Sequence, residues 1–354
     1  MLDNTQIQNI LIYRIGSLGD TLVALPAFHL LRREFKHYNI ILLTNSPIDG
    51  GIKAAASYQI LIGSGLINNF IEYPTGQLSI SSILNIIKNV RQSKPYKVIY
   101  LMPQRSLLIR IRDGFFFLAC GIWNISGLFP HRGCYDHQKL NNTNLYESEA
   151  SRILRTIGYN VNQLTQANFS LNLQQSEYKT AQDILTPPTP PYIAMSVGAK
   201  VPAKDWGSDR WIELVNLLNQ RVYKRYTLVF LGTLDEYDRC DSIAANWSGE
   251  VLNLCGALSP RQSAAVLAQS CLFIGHDSGP MHLASSVGIP CISIFAARDK
   301  PGVWFPFGNE HNVFYNNVPC SNCKLSVCID KKMNCIRSIK ATDVADRVQL
   351  LLKQ

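Results

Sequence analysis

Two loops in this sequence place a carboxylate where an apolar strand gives way to a helix. The first reads Gly16-Ser17-Leu18-Gly19-Asp20 and follows a predicted strand from Ile10 to Ile15. The second reads Asp277-Ser278-Gly279-Pro280-Met281-His282 and follows a predicted strand from Cys271 to Gly275. Backbone amides and the helix dipole at the start of a helix suit a diphosphate. The second loop therefore predicts a phosphate-binding turn, with Ser278 and Gly279 as donors.

Some side chains in these loops have a structural interpretation beside the chemical one. The glycines of the first loop let the backbone approach a ligand, and they place the Asp20 carboxylate at the edge of the sheet. The alternative is that Asp20 only caps the following helix. His282 lies about one helical turn beyond Gly279, near the same ligand, and its alternative is a buried histidine bonded to backbone.

Two further loops follow predicted strands of the second half. Lys204-Asp205-Trp206 comes after a strand from Tyr192 to Ser196, where an ammonium can meet phosphate as a point charge, although surface lysines are common. Gly232-Thr233-Leu234-Asp235-Glu236 follows a strand from Thr227 to Leu231, where a ribose would be held through its hydroxyls. Either acid could hold it, or both only cap the next helix.

Four of the ten cysteines form a cluster, Cys320-x2-Cys323-x4-Cys328-x6-Cys335. Four thiolates can hold zinc or iron, which predicts a structural metal site; two disulfides or four free thiols are the alternatives. The remaining cysteines lie in apolar or mixed surroundings and are predicted to be reduced core thiols: Cys120, Cys134, Cys240, Cys255, Cys271 and Cys291.

Strands and helices alternate around the first loop. A helix should extend to about Phe35, with Pro26 delaying its start or bending it, and a strand should follow from Ile40 to Leu43. Further strands are predicted from Asn69 to Tyr73 and from Lys97 to Leu101, with a helix from about Ser81 to Gln92. This alternation predicts an α/β fold whose mostly parallel sheets are covered on both faces.

The chain of 354 residues is long enough for two domains. The run Pro187-Pro188-Thr189-Pro190-Pro191 predicts a stiff linker between them, because prolines lack the backbone donor that helices and sheets need. We predict an N-terminal domain over 1–183, a linker over 184–191, a C-terminal domain over 192–340 and a final helix over 341–354.

The strand and helix pattern restarts after this linker. Helices are predicted around Trp211, from about Asp235 to Trp247, from a capping box at Ser259 to about Gln269, up to about Val287, and from Thr342 to Leu352. A further strand is predicted from Cys291 to Phe295.

The charge balance favours an anionic partner, with 34 Lys and Arg against 25 Asp and Glu. Phosphorylated substrates or an anionic membrane face would account for this excess, and a mere aid to solubility is the alternative. Nucleic acid is not favoured, because the basic residues are scattered and no nucleic-acid-binding motif is present. The start of the chain has no leader pattern, so we expect a cytoplasmic protein. The apolar stretch Phe115–Phe129 is predicted to be buried core, with contact to a membrane interface as the alternative.

Three of these segments together resemble glycosyltransferase family nine, the lipopolysaccharide heptosyltransferase family. They are the run from Ile10 to Asp20 with Pro26, the Lys204-Asp205-Trp206 loop, and the run from Asp277 to Ala284 with Gly288 and Pro290. The resemblance extends over nearly the whole chain. It implies a GT-B architecture, in which two Rossmann-like domains with parallel sheets face a central cleft.

The resemblance also implies roles for individual residues. Asp20 matches the general base of an inverting, metal-independent transfer from ADP-heptose or a related nucleotide-diphosphate sugar, and no Asp-x-Asp metal motif occurs in a plausible loop. The expected donor-binding residues are Lys204, Trp206, Gly232, Thr233, Glu236, Asp277, Ser278, Gly279 and His282. We expect Asp277 to bind a sugar hydroxyl or a backbone amide, since it would otherwise repel the diphosphate.

The acceptor is expected in the N-terminal half, near Gly19, Arg105 and Arg132, with Arg110 and Arg112 close by; ordinary surface arginines would look the same. An anionic glycan or glycolipid acceptor would bring the enzyme into peripheral contact with the inner membrane. No cofactor is expected in catalysis. The rival interpretations are a nucleotide-sugar epimerase of the same fold, which needs no acceptor, and a nucleotide-sugar or glycan binding protein without turnover.

Overall fold

The computed structural model describes residues 7–46, 57–74, 76, 79–131, 133–186, 191–222, 225–308 and 310–353. The chain forms two compact units. The first comprises Met1–Gln138 and Glu147–Asn172, and the second comprises Lys139–Tyr146 and Leu173–Gln354. Each unit contains one parallel sheet flanked by helices, which confirms the predicted α/β class.

The first unit contains a five-stranded sheet in the order β3-β2-β1-β4-β5, with every neighbouring pair parallel. Its strands are β1 Asn9–Tyr13, β2 Asn39–Ser46, β3 Asn69–Pro74, β4 Pro95–Tyr100 and β5 Ile125–Ser126. Its helices are α1 Leu18–Leu22, α2 Leu25–Glu34, α3 Ser57–Leu61, α4 Ile80–Gln92, α5 Leu107–Ala119 and α6 Glu149–Thr156. The strand order reverses between β1 and β4.

Helices α4 and α5 cover one face of this sheet. Val90 of α4 and Phe117 of α5 are fully buried against Leu11 and Val98 of the central strands. Burying side chains of this size contributes about 1.5 to 3 kcal/mol each. Helix α2 begins at Leu25 with Pro26 in its first turn, as the predicted delayed start requires, and it packs against α6.

The second unit contains a six-stranded parallel sheet in the order β11-β10-β9-β6-β7-β8. Its strands are β6 Tyr192–Ser196, β7 Thr227–Phe230, β8 Val251–Asn253, β9 Ser270–His276, β10 Cys291–Phe295 and β11 Asn312–Tyr315. Its helices are α7 Gln175–Leu185, α8 Ser208–Val222, α9 Tyr237–Ala244, α10 Pro260–Leu267, α11 Gly279–Ser286, α12 Asn334–Arg337 and α13 Ala341–Leu351. This is the doubly wound order of nucleotide-binding sheets, and it reverses between β6 and β9.

Several predicted elements of the second unit are confirmed and one is wrong. Strands β6 and β10 have the predicted bounds, and Ser259 forms a capping box with Gln262 at the start of α10. The helix predicted from Asp235 to Trp247 is instead a 3-10 turn, Leu234–Glu236, followed by the shorter α9.

The boundary between the units differs from the predicted one at residue 184. Helix α7 lies in the second unit, where the carboxylate of Glu177 is 2.7 Å from the guanidinium of Arg261. The short segment Lys139–Tyr146 also lies there, and the Tyr146 amide donates to the Pro301 carbonyl at 2.8 Å. Residues 187–190 of the predicted linker are outside the described residues.

The prediction that Phe115–Phe129 is buried core is largely wrong. Phe115, Trp123 and Phe129 are exposed, whereas Phe117 and Ile122 are buried. The run contains the end of α5 and the loop around β5, so only part of it faces the sheet. Among the described residues, no helix is both long and apolar enough to cross a membrane.

Candidate functional site

The predicted phosphate-binding loops leave the second sheet where its strand order reverses. Strands β6 and β9 pair in parallel, with Ser196 beside Gly275, so the loops that follow them begin side by side. Diverging connections at such a point leave a crevice at the carboxyl ends of the strands, which is where doubly wound sheets bind ligands. One loop contains Lys204, and the other leads from Asp277 into α11.

Lys204 and Asp277 form an ion pair across this crevice. The Lys204 Nζ lies 2.6 Å from the Asp277 Oδ2, with the two side chains 17% and 5% exposed. The carboxylate therefore faces an ammonium, rather than the sugar hydroxyl or backbone amide that we expected. Lys204 ends the 3-10 turn Pro202–Lys204, whose Ala203 amide donates to the Ser326 carbonyl at 3.0 Å.

A third charged residue, which was not predicted from the sequence, lies near this pair. Asp299 follows β10, and its Oδ1 is 2.7 Å from the Lys324 Nζ. Burial alone would raise the pKa of Asp299, but the hydrogen bond and charge of Lys324, with the charges of Arg298 and Lys204, lower it below its ordinary value. Positive and negative groups thus lie together at this edge of the sheet.

His276 connects the two loops from beneath. It is fully buried, and its Nε2 accepts the Trp206 amide proton at 3.0 Å. Its Nδ1 must then carry the ring proton and donate to the Gly198 carbonyl at 3.2 Å. Burial lowers the pKa of His276 to about 4, which the nearby Asp205 carboxylate only partly counteracts, so the ring is neutral at neutral pH. The signal in the sequence that could have identified His276 was a polar residue at the end of an apolar strand.

The prediction that Trp206 contacts the donor is wrong for its side chain. Trp206 has no exposed surface, its Nε1 donates to the Ile339 carbonyl at 3.1 Å, and its ring packs edge-on against Trp211. It belongs to the core beneath the loop. Its neighbour Asp205 is bound by Arg239 through two hydrogen bonds of 2.8 Å, which fix the loop to α9.

The loop after β7 brings Glu236 close to the same crevice. Its Oε2 accepts the Thr233 amide at 2.9 Å in a capping box, and Thr233 Oγ1 donates to Asp235 Oδ1 at 2.6 Å. The Glu236 carboxylate lies against Gly198 and Gly232, where an added Cβ would come within 1.7 and 2.3 Å of its oxygens. Burial raises the pKa of Glu236 above its ordinary value. The capping box thus uses one of the two carboxylate oxygens of Glu236.

Helix α11 begins at Gly279, after Ser278 in an extended conformation. The first amides of a helix have no partner within it, so they are directed towards the crevice at this end. Ser278 Oγ donates to the His276 carbonyl at 3.4 Å, and His282 is 8% exposed beside the Trp304 ring. His282 is thus buried, as its alternative interpretation holds, and its role towards a ligand stays a prediction.

In the first unit, the Asp20 loop also lies where the strand order reverses. It follows β1, and the loop containing Arg105 follows the neighbouring β4. The Asp20 Oδ2 accepts hydrogen bonds from the Ser17 amide and hydroxyl, both at 2.7 Å. Asp20 is thus the third helical residue of a capping box, not the cap itself. Among the residues that the structure describes, its Oδ1 accepts no hydrogen bond.

Buried Arg14, absent from our sequence predictions, holds the Asp20 loop against β4. Its Nη1 donates to the Leu101 carbonyl at 2.6 Å, and its Nη2 donates to the Asp20 carbonyl. An added Cβ on Gly16 would lie 2.3 Å from the Asp20 Cβ, so this turn requires glycine. The glycine turn and the hydrogen bonds of Arg14 together fix the position of the Asp20 loop and its carboxylate.

Of the predicted acceptor residues, Arg105, Arg110 and Arg112 lie close together, because Arg105 and Arg110 both contact Tyr135 and Arg105 and Arg112 both pair with Asp113. Arg105 lines a cavity of about 520 Å³ in the first unit, and its Nη1 is paired with Asp113 Oδ2 at 2.9 Å. Gly19 lies in α1, and Arg132 is outside the described residues. Arg110 is stacked over the Tyr135 ring at 4.3 Å. Acceptor binding by these residues stays a prediction.

All ten cysteines are free. Cys320, Cys323 and Cys328 lie in the loop before α12, which packs against the connection after β10, and Cys335 lies in α12. Neither disulfide of that alternative is present. Among the described residues, no group of three or more His, Cys, Asp or Glu side chains is arranged to hold a metal ion. The structural metal stays a prediction. The predicted core thiols include two errors, since Cys271 is exposed and Cys134 half-buried.

The two doubly wound parallel sheets match the GT-B fold of solved heptosyltransferase structures. The chain belongs to glycosyltransferase family 9 (heptosyltransferase), whose family model matches residues 144–334.

Individual relatives agree with this assignment. The chain is 27% identical to lipopolysaccharide heptosyltransferase 3 of Escherichia coli (strain K12) over 168 residues, 46% of this chain and 47% of that relative, so this alignment spans about half of the relative's length. It is 22% identical to lipooligosaccharide heptosyltransferase 2 of Campylobacter jejuni over 342 residues, covering 95% of this chain and 96% of the relative. The solved structure of E. coli ADP-heptose lps heptosyltransferase II matches with a TM-score of 0.70 at 17% identity, over 98% of this chain and 99% of that one.

Proposed function

We propose that this protein transfers a heptose from ADP-heptose to a hydroxyl of a lipopolysaccharide core or related glycan. Family membership supports glycosyl transfer, and the names of the relatives support heptose and a lipopolysaccharide acceptor. The observation that carries the proposal is the Lys204 ammonium, held by Asp277 at the point of strand reversal and beside the start of α11. These are the groups that a departing diphosphate needs.

In this mechanism the positive groups of the second unit stabilise the leaving group. Negative charge grows on the diphosphate as its bond to the sugar breaks, and preorganised donors stabilise that charge most strongly in the transition state. Lys204 has three N–H donors, so it can keep its bond to Asp277 and still donate to a phosphate oxygen. The amides that begin α11 supply the remaining donors. This arrangement gives the reaction a metal-independent route.

We assign Asp20 as the general base. Its Oδ2 is held by Ser17, which leaves Oδ1 to accept a proton from the acceptor hydroxyl. The acceptor oxygen forms a bond to the anomeric carbon on the face opposite the nucleotide, and the bond to the diphosphate breaks. The proton ends on Asp20, ADP leaves, and the anomeric configuration inverts.

Glu236 is the residue that we assign to the donor ribose. One carboxylate oxygen bonds the Thr233 amide, and the other can accept a ribose hydroxyl proton. For the cysteine cluster we keep the proposal of a structural zinc or iron, with no role in transfer, because thiolates at these spacings suit either ion.

The experiment measures sugar transfer from ADP-heptose to a lipopolysaccharide-core acceptor, with ADP affinity measured by calorimetry. Asp20→Ala should lose transfer at least a hundredfold while keeping ADP affinity within a few fold, because general-base catalysis contributes about a hundredfold or more. Asp183→Asn, an exposed carboxylate on α7, is the control and should retain activity. Full activity of Asp20→Ala would remove this residue from the mechanism.

Two further arms test the class of reaction. EDTA should leave the transfer rate unchanged over short times, and a rate that falls with chelation and returns with a divalent cation would contradict the metal-independent route. Donor alone should leave the sugar configuration unchanged. An epimerised sugar, formed without acceptor, would identify an epimerase instead.

A further inference from the structure

Helix α5 presents an unusually apolar surface to solvent. Leu108 is 79% exposed and Phe115 is 67% exposed, and four more large apolar side chains of the helix are exposed: Leu107, Ile109, Ile111 and Leu118. Only Asp113, Gly114 and Phe117 of this helix are buried. Scattered exposed apolar residues are ordinary, but a contiguous set on one helix marks an interaction surface.

Helix α4 extends this surface. Ile80, Ile83 and Leu84 are exposed on it, with Ile80 at 78%. The two helices are neighbours, because Arg91 near the end of α4 donates to the Ala119 carbonyl at the end of α5, at 2.6 and 3.0 Å. We call these exposed apolar side chains of the two helices the α4–α5 face.

Aromatic side chains lie at both ends of α5. Trp123 follows the last turn of the helix and is 80% exposed. Phe129 is also exposed and lies beside the first half of the helix, where the Arg110 guanidinium is 5.6 Å from its ring centroid. Tryptophan and other amphipathic aromatic rings favour the boundary between lipid headgroups and acyl chains.

The segment that contains both helices of the α4–α5 face is strongly basic. Residues 79–131 contain seven Lys and Arg and a single acid, Asp113. That acid is buried and neutralised by Arg105 and Arg112, at 2.9 and 2.7 Å. Lys88 on α4 and Arg112 on α5 remain exposed. A partner that covers this face would meet apolar side chains bordered by positive charge, which is the complement of an anionic lipid surface.

We propose that the α4–α5 face docks this protein onto an anionic lipid bilayer. The exposed leucine, isoleucine and phenylalanine side chains insert among the acyl chains, while Lys88 and Arg112 contact the headgroups. The opposite side of α5 stays packed on the sheet through Phe117, so the helix lies along the bilayer surface. This inference goes beyond the proposed sugar transfer and does not depend on it.

The test is cosedimentation of the purified full-length chain with vesicles, without donor or acceptor. Vesicles of equal parts phosphatidylglycerol and phosphatidylcholine should bind the protein at least tenfold more tightly than phosphatidylcholine alone, and added salt should weaken binding. Leu108→Glu with Phe115→Glu should reduce binding at least tenfold, because two inserted side chains become charged. Lys88→Gln should weaken binding about fivefold.

Matched controls come from the second unit. Leu234→Glu and Ile329→Glu introduce the same charges at residues that are 67% and 78% exposed, and they should leave vesicle binding unchanged. Equal losses from the control pair and the α4–α5 pair would overturn the proposal, as would equal binding to neutral and anionic vesicles.

A second readout uses the protein without charge-changing variants. Trp123 emission should shift to the blue and be quenched by brominated lipids, and the shift should disappear in Trp123→Phe. An unquenched Trp123 on vesicles would place another surface at the bilayer and overturn the proposal. A chain that binds no vesicles but forms a dimer by light scattering, which Leu108→Glu dissociates, would also overturn the proposal. In that case a second copy of the chain would cover the α4–α5 face.

Discussion

Replacing Lys204 by methionine tests whether its ion pair with Asp277 serves stability, donor binding or both. The variant leaves a carboxylate that is 5% exposed without its partner. Breaking a buried pair costs about 3 to 5 kcal/mol, and we expect the lower end, about 3 kcal/mol, because water can reach this site through the 17% exposed lysine. A loss of that size lowers the melting temperature by roughly 6 to 12 °C in a domain of this length.

The double variant Lys204→Met with Asp277→Asn separates the two roles. Removing both charges leaves no buried carboxylate unpaired, so most of the lost stability should return, with a coupling energy of about 2 kcal/mol. ADP affinity should not return, because Lys204 is the group that meets the phosphate. We expect both variants that lack Lys204 to bind ADP roughly 10 to 100 times more weakly, whereas Asp277→Asn alone should retain ADP binding.

Thermal unfolding and calorimetry with ADP measure these quantities on the same samples. The surface pair between Arg221 and Asp346 is the matched control, because its atoms are 2.7 Å apart, against 2.6 Å for the buried pair, but the Asp346 side chain is 68% exposed. Its cycle should give less than about 1 kcal/mol. Additive losses of stability at Lys204 and Asp277 would contradict the buried pair. An ADP affinity within twofold of the original in Lys204→Met would refute its phosphate contact.

Two other residues give sharp expectations. Burial lowers the pKa of His276 from 6.5 to about 4, so its neutral ring favours the folded chain fully above pH 6.5, and this contribution of about 3 kcal/mol should be lost as the pH falls from 6.5 towards 4. The free energy of unfolding, measured with denaturant at each pH, should therefore fall more steeply over that range in the original chain than in His276→Gln. Equal slopes in the two chains would contradict this contribution. Gly198→Ala would place a Cβ 1.7 Å from Glu236 Oε1, so the carboxylate must move. If Glu236 holds the ribose, this variant should lose the preference for ADP over 2′-deoxy-ADP, measured by competition, and an intact preference would exclude that role.

Local sequence signals were sufficient for β6, β7, β9 and β10 of the second unit and for the loops after β6, β7 and β9, but β8 and β11 were not predicted. Glycine, proline and an apolar run mark where β9 ends and α11 begins, because those residues act on their own neighbourhood. Lys204 was identified from its position after a strand. The direction of the Trp206 side chain could not be predicted, because nearby residues of a loop can face opposite ways, one towards the core and the other towards the ligand.

The errors concern contacts between distant residues. His276 bonds to Trp206 and Gly198, which are 70 and 78 positions away, so nothing in its own segment reveals the role. The proline run suggested where the domains divide, whereas the ion pair between Glu177 and Arg261 assigns α7 to the second unit. The stretch from Phe115 to Phe129 is apolar, but apolarity does not specify whether protein or another medium covers it.

The segment Lys139–Tyr146 has a consequence for synthesis on the ribosome. The chain leaves the first unit at Gln138, contributes these residues to the second, and returns at Glu147. The Tyr146 amide emerges long before its acceptor, the Pro301 carbonyl, and the neighbouring Gly302 leaves no room for a side chain, since its Cβ would lie 2.2 Å from the Tyr146 oxygen. The second unit therefore cannot complete its packing until both Tyr146 and Pro301 have been translated. A fragment beginning at Leu173 would lack one of them altogether.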